Sequence, residues 1–184
     1  CYGTPLDTCK AVDEAENLAY IKAARLLHEV TGATEQLDEL RNGLEYELLW
    51  RYGYNTRPVA EPLKSAPWVS AGGSLTSVAN PHTHPMGLMI AEDMEYYLSC
   101  QKDSYLEQRL EEQIDWALIS LSLMPEQMGF GHYGTLSERA CPSDGLVLEE
   151  FPDGRLASCW FTHHSWGCAN ILEALLNTKH EQRT

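Results

Sequence analysis

Carboxylic acids, imidazoles and aromatic rings gather in the parts of this chain that lack a helical period. The densest run is HYGTLSERACPSDGL, residues 132–146, which brings His132, Tyr133, Glu138, Arg139, Cys141 and Asp144 close together in sequence. Two carboxyl groups suffice for glycosidic hydrolysis. Held about 6.5–9.5 Å apart they admit a water and invert the sugar carbon, whereas about 5–5.5 Å suits a retaining nucleophile. Glu138, Asp144 and Asp13 are the candidate catalytic acids. Arg139 is a candidate substrate contact, and Trp68, Tyr54, Tyr133 and Trp166 offer apolar ring faces of the kind that pack on sugars. Each has a structural alternative. Asp144 suits the turn Pro142-Ser143-Asp144-Gly145, Glu138 can pair with Arg139 or Arg155, and tryptophans are ordinary core residues.

His82 and His84 stand between Pro81 and Pro85, and His163 and His164 are adjacent. All four are candidate substrate contacts. Imidazole pairs also bind zinc, but H-x-H is a weak pattern and no H-E-x-x-H accompanies it, so no metal is expected. A histidine pair titrating near neutrality can instead exchange protons at a sugar carbon, or simply hold loop carbonyls. Cys141 lacks a catalytic-cysteine signature, and Ser137 lacks the G-x-S-x-G elbow. No glycine-rich phosphate cradle is present, and no cofactor is called for.

The composition sets limits on partners. The chain has 184 residues, 43% of them hydrophobic and 22% charged, which is ordinary globular material for about one domain. A net charge of −14 with no basic stripe repels polyphosphate backbones and anionic membranes, so nucleic acid is not an expected partner. No run of 18 apolar residues exists, and no membrane span is expected. The six cysteines are scattered without a C-x-x-C and read as free or buried thiols. The chain begins at Cys1, which suggests a processed protein or a piece of a larger one, and leaves its location open.

Helical periodicity accounts for the elements that must position these residues. Residues 11–31 carry Val12, Ala15, Leu18, Ala19, Ala23, Leu26, Leu27 and Val30 at three- and four-residue steps, with Gly32 as the stop. Thr34 is placed to cap a second helix with a face of Leu37, Leu40, Leu44 and Leu48. A long stretch rich in Pro, Gly and Ser precedes a third helix over 85–100, whose apolar residues cover much of its circumference. After Lys102-Asp103-Ser104 a fourth helix presents Leu106, Leu110, Ile114, Ala117, Leu118 and Leu121. A second long irregular stretch, about 125–164, leads to a last helix over 165–178.

Connections are therefore short, long, short, long. Short connections make antiparallel neighbours, so both long loops and the segment before the first helix lie at one end. Helices one and three are apolar enough for an inner layer, and two and four are amphipathic enough for an outer one. The expectation is an all-α fold of antiparallel helical hairpins in a double layer, part of an (α/α)6 toroid. Long loops meet there with the amino ends of the inner helices, which favour anions and leave backbone donors free.

The order Leu136-Ser137-Glu138-Arg139, Pro142-Ser143-Asp144-Gly145, Leu156-Ala157-Ser158 and Ser165-Trp166 leading into Ala169-Asn170-Ile171-Leu172-Glu173-Ala174-Leu175-Leu176 resembles the carboxy-terminal part of glucoamylase-like (α/α)6-toroid glycoside hydrolases. The resemblance covers roughly 40 residues. It implies that Glu138 is the general base that activates water. Arg139 replaces the family's glutamine, Ala140-Cys141 replaces a more polar or aromatic pair, the stretch from Gly145 to Leu156 is longer, and His163-His164 is atypical, so the substrate is not fixed by it. A full toroid needs about twelve helices, and five are legible here. The resemblance thus implies that residues 1–184 are a single toroid domain or its carboxy-terminal half, with the general acid and the remaining helices in an amino-terminal half or second chain. The expected function is glycoside hydrolysis on a carbohydrate substrate. A sugar epimerase of the same architecture using His82, His84, His163 or His164 is the first alternative, and a non-enzymatic helical-repeat interaction module anchored by Trp68, Trp160 and Trp166 is the second.

Overall fold

The computed structural model describes residues 14–77, 80–121, 136, 140–141, 149–150, 154, 156–157 and 165–179. The protein is mostly helical. Helices α1 (Glu14–Thr31) and α2 (Thr34–Leu48) form one hairpin, and α3 (Ala91–Cys100) and α4 (Ser104–Ile119) a second; α5 (Ser165–Leu176) comes last. The all-α expectation agrees with this framework, to which two small antiparallel hairpins are added: β1 (Ser74–Ser77) with β2 (Asn80–His84), and β3 (Glu149–Glu150) with β4 (Leu156–Ala157).

α1 ends where Gly32 takes a positive φ of 64° and its amide donates to the His28 carbonyl at 2.8 Å, a conformation that needs no Cβ. Thr34 is not the cap of α2. It is the first helical residue, and Ala33 holds the capping position without a side-chain bond. The cap of α4 is fully made, because Asp103 Oδ1 accepts from the amides of Tyr105 and Leu106, both at 3.0 Å.

The third helix of the sequence reading is two elements. Pro85–Ile90 is a 3₁₀ helix, and α3 starts only at Ala91. Pro85 brings no amide, and the Gly87 amide donates to Ser74 Oγ at 3.1 Å, so the first turn is tied sideways to β1.

The core joins Leu18, Ile21 and Ala24 of α1 to Leu37, Leu40 and Leu44 of α2, then to Ile90 and Met94, and to Leu106, Leu110, Ile114 and Ala117 of α4. The residues between α2 and β1 are not a free loop. The 50–52 backbone bonds the 72–75 backbone, with Leu75 N to Trp50 O at 2.7 Å, and Leu63 and Trp68 reach the core.

The inner face of α1 differs from the sequence reading. Leu18 is buried as expected, but Leu26, Leu27 and Val30 are exposed, and Val30 keeps 85% of its surface. Ala19 and Ala23 are exposed as well. At 100° per residue, Ala19, Ala23, Leu26 and Val30 form one stripe opposite the buried one. The same holds for α5, where Gly167, Ile171 and Ala174 are buried while Cys168, Leu172 and Leu176 are exposed. Lys22 and Glu173 meet across these two helices at 3.9 Å.

Candidate active site

Three helix starts converge at one end of the fold, and β1–β2 links them. Glu14, the first described residue of α1, has Ser74 of β1 at its carboxyl. Ser74 Oγ donates to the His84 carbonyl at 3.2 Å and accepts from Gly87 at the start of the 3₁₀ helix. Pro85 and Leu136 both press on Gly167 in the first turn of α5. A Cβ at Gly167 would lie 2.8 Å from Leu136 Cδ2 and 3.3 Å from Pro85 Cγ. The meeting of amino ends read from loop lengths is thus visible in contacts.

The loop with the candidate base is pinned here on both sides. Leu136 is buried and bridges Leu121 just beyond α4. Ala140 is buried and exchanges both backbone bonds with Thr83, at 2.7 and 2.9 Å, while Thr83 Oγ1 donates to the same Ala140 carbonyl at 3.0 Å. Cys141 beside it is buried, as a structural thiol is. Glu138 and Arg139 lie between these anchors but outside the described residues, as do Asp13, Tyr133, Asp144, His163 and His164.

The remaining candidates fall in distinct places. His82 and His84 are both buried in β2 on either side of Thr83, two residues apart and so on one face of the strand. Tyr54 is exposed, with its ring edge-on to Tyr52 at 6.0 Å. Trp68 is a core residue. Its ring meets Trp116 edge-on at 6.4 Å and its Nε1 donates to Ser120 Oγ at 3.3 Å, so it offers no open face to a sugar. Trp166 is the second residue of α5.

Behind this face is a charged cluster that sequence reading missed. Glu14 and Glu47 are both fully buried with their carboxyls facing each other. Arg51 Nη2 stands 3.5 Å from Glu47 Oε1 and donates to the Gly87 carbonyl at 3.0 Å. Asn17 Nδ2 donates to Glu47 Oε2 at 3.1 Å. Among the described residues neither oxygen of Glu14 has a well-aligned hydrogen bond, and Arg51 Nε and Nη1 and both amide atoms of Gln113 also lack one. Burial, then the neighbouring Glu47, pushes the Glu14 carboxyl well above the carboxylate range. Burial also raises Glu47, against the pull of Arg51, and burial lowers Arg51. A signal for this cluster existed. Glu47 continues the Leu37, Leu40, Leu44 stripe by one more three-residue step, so an acid occupies a core position.

A groove of about 450 Å³ opens at the opposite end, between the carboxyl end of α3 and the amino end of α4. It is lined by Glu95, Glu107, Glu111, Lys102 and Lys179 together with Leu98 and Leu110, a surface of mixed charge with some apolar area. Among the described residues no group of three or more His, Cys, Asp or Glu side chains is arranged to hold a metal ion. Among the same residues no helix is long and apolar enough to cross a membrane. No family model matches the sequence, and no curated protein and no solved structure matches it either.

Proposed function

We propose that this chain is part of a carbohydrate-active enzyme of the α/α-toroid type and that it hydrolyses a glycosidic bond with carboxyl groups at the loop face. The observation that carries this reading is the double anchoring of the 136–141 loop, at Leu136 and at Ala140, beside the amino ends of α5 and of the 3₁₀ helix that leads into α3. A loop fixed at both ends within a few residues is what a general base needs, since the base must be held against a water without drifting. Glu138 is the base in this reading. Asp144 and Arg139 contact the sugar, Asp13 supplies a further acid at the same face, and Tyr54 is an exposed ring for stacking.

The toroid is supported by the two-sided character of α1 and α5. A helix apolar on opposite faces belongs between two layers, and exposed Leu26, Val30, Leu172 and Leu176 call for further helices across them. The partner is the rest of the toroid, in the same polypeptide or in a second chain.

The test is Glu138→Gln in the full-length parent, assayed on a panel of oligosaccharides. Loss of a base is expected to cost about 10²-fold or more in turnover, and unchanged turnover rejects the assignment. Solvent deuterium entering a sugar carbon without bond cleavage would replace hydrolysis by epimerisation.

A further inference from the structure

We propose that Glu14 and Glu47 share a single proton, and that this protonated pair, with Arg51, fastens the β1–β2 hairpin and through it the 136–141 loop. The starting point is a charge count in a closed space. Among the described residues, two fully buried carboxyls meet one buried guanidinium. Ionised throughout, the group would hold an uncompensated negative charge away from water, which costs several kcal/mol. One retained proton makes it neutral.

The geometry assigns the proton. Glu47 accepts from Asn17 at 3.1 Å and faces Arg51 at 3.5 Å, so it is the ionised member. Among the described residues Glu14 has no cationic contact that close, and it faces Glu47 and Ser74, so it is the protonated member, with one O–H to give to Glu47. The pKa directions agree, since burial and then Glu47 raise Glu14 while Arg51 opposes the rise at Glu47.

A line of bonds leads from this pair to the loop. Arg51 holds the Gly87 carbonyl at 3.0 Å, and Ser74, which touches Glu14, binds both the Gly87 amide and the His84 carbonyl. Thr83, next to His84, carries Ala140. When the shared proton leaves, two carboxylates face one guanidinium, and the cheapest relief is to open the hairpin toward water. Among the described residues, the groups facing the pair are Asn17 from α1, Arg51 after α2, Ser74 from β1, the Gly87 carbonyl from the 3₁₀ helix and, beside Gly87, Gln113 from α4. β2 adds the two buried imidazoles of His82 and His84, whose contribution must be separated from that of the pair by experiment.

The proposal concerns the support of the loop and holds whatever reaction the loop performs. Its test is amide hydrogen exchange at Thr83 and Ala140 in the full chain across pH 5–9, read as protection factors. Protection is expected to fall as pH rises, by up to about tenfold per pH unit. Glu14→Gln, which keeps a neutral donor and removes the proton, is expected to flatten the profile. His84→Gln and His82→Asn are expected to leave the slope intact. A slope that persists in Glu14→Gln, or disappears in either histidine variant, overturns the proposal. Infrared spectroscopy decides it independently should Glu14→Gln not fold. The wild-type protein is expected to show the carbonyl stretch of a buried protonated carboxyl at pH 7, and its absence also overturns the proposal.

Discussion

Helix α1 carries a buried arginine cluster near each of its ends, and the two clusters are built on opposite principles. Near the carboxyl end Arg25 uses its whole guanidinium: Nε to Asp93 at 2.6 Å, Nη1 to Glu29 at 2.6 Å and Nη2 to Glu92 at 3.4 Å. Near the amino end Arg51 uses only Nη2, leaving Nε and Nη1 without bonds beside two buried acids. Asp93 is fully buried and bonded through Oδ1 alone, and its partner acids Glu29 and Glu92 are about a third exposed, so water shares the excess negative charge. Glu14 and Glu47 have no such outlet. A cluster that fills its donors and reaches solvent fixes two helices together, here α1 and α3. A cluster with spare donors, sealed from solvent, stores a charge imbalance that pH can release. The second kind lies under the candidate active face.

The largest expected effect breaks the bonded cluster. Arg25→Ala leaves Asp93 buried without its cation and is expected to cost about 3–5 kcal/mol of stability in urea melts at pH 7. Arg51→Met is expected to cost less, about 2 kcal/mol, because Glu47 can take up a proton of its own once the cation is gone. The difference between these two variants sharpens the comparison. The Arg51→Met loss should shrink toward pH 5, where proton uptake is easy, while the Arg25→Ala loss should change less. Equal costs with equal pH dependence would show that the two clusters are of one kind.

The wild-type pH profile follows the same logic. A carboxyl whose folded pKa lies above its unfolded value contributes stability that is fully present below the unfolded value. That stability is lost as pH rises through the folded value, so Glu14 makes the protein weaker toward alkaline pH. The smallest expected effect is on the outer stripe of α1. Leu26→Ser with Val30→Ser should change the melting of this chain by no more than about 0.5 kcal/mol, because both side chains already face solvent. In a complete toroid the same pair would fill an interior, and a large loss of stability there would mark the surface as an internal one.

Much of the helical framework was legible because its period is regular. The leucines of α2 and the Leu106, Leu110, Ile114, Ala117 face of α4 point inward as their spacing requires. The β1–β2 hairpin was not legible. Its strands, SLTS and NPHTH, are short and mostly polar, and what holds them is the 50–52 backbone and Ala140, partners distant in sequence. The split of the third helix had the same origin, since the Gly87 amide is taken by Ser74. On α1 the spacing picked out Leu18 together with Ala19, Ala23, Leu26, Leu27 and Val30, and left out Ile21 and Ala24. Ile21 and Ala24, opposite Leu26 and Val30, won the core because α2 brings Leu40 and Leu44 to that side.

At the candidate site, loop lengths correctly gathered the helix starts at one end. Periodicity had no means to show that Glu14 and Glu47 face each other, because that meeting depends on the relative rotation of two helices. Glu47 still announced itself as an acid on a leucine stripe, and this cue transfers to other amphipathic helices.

The pairing of Thr83 with Ala140 joins residues 57 positions apart. The helical hairpins before it close over short connections and can form early, whereas this bridge must wait until both hairpins and the intervening chain exist. During synthesis Ala140 would therefore join Thr83 after the two helical hairpins are standing. The polypeptide would acquire its helices well before this bridge, and substitutions at Thr83 would slow closure of the bridge more than the gain of helix.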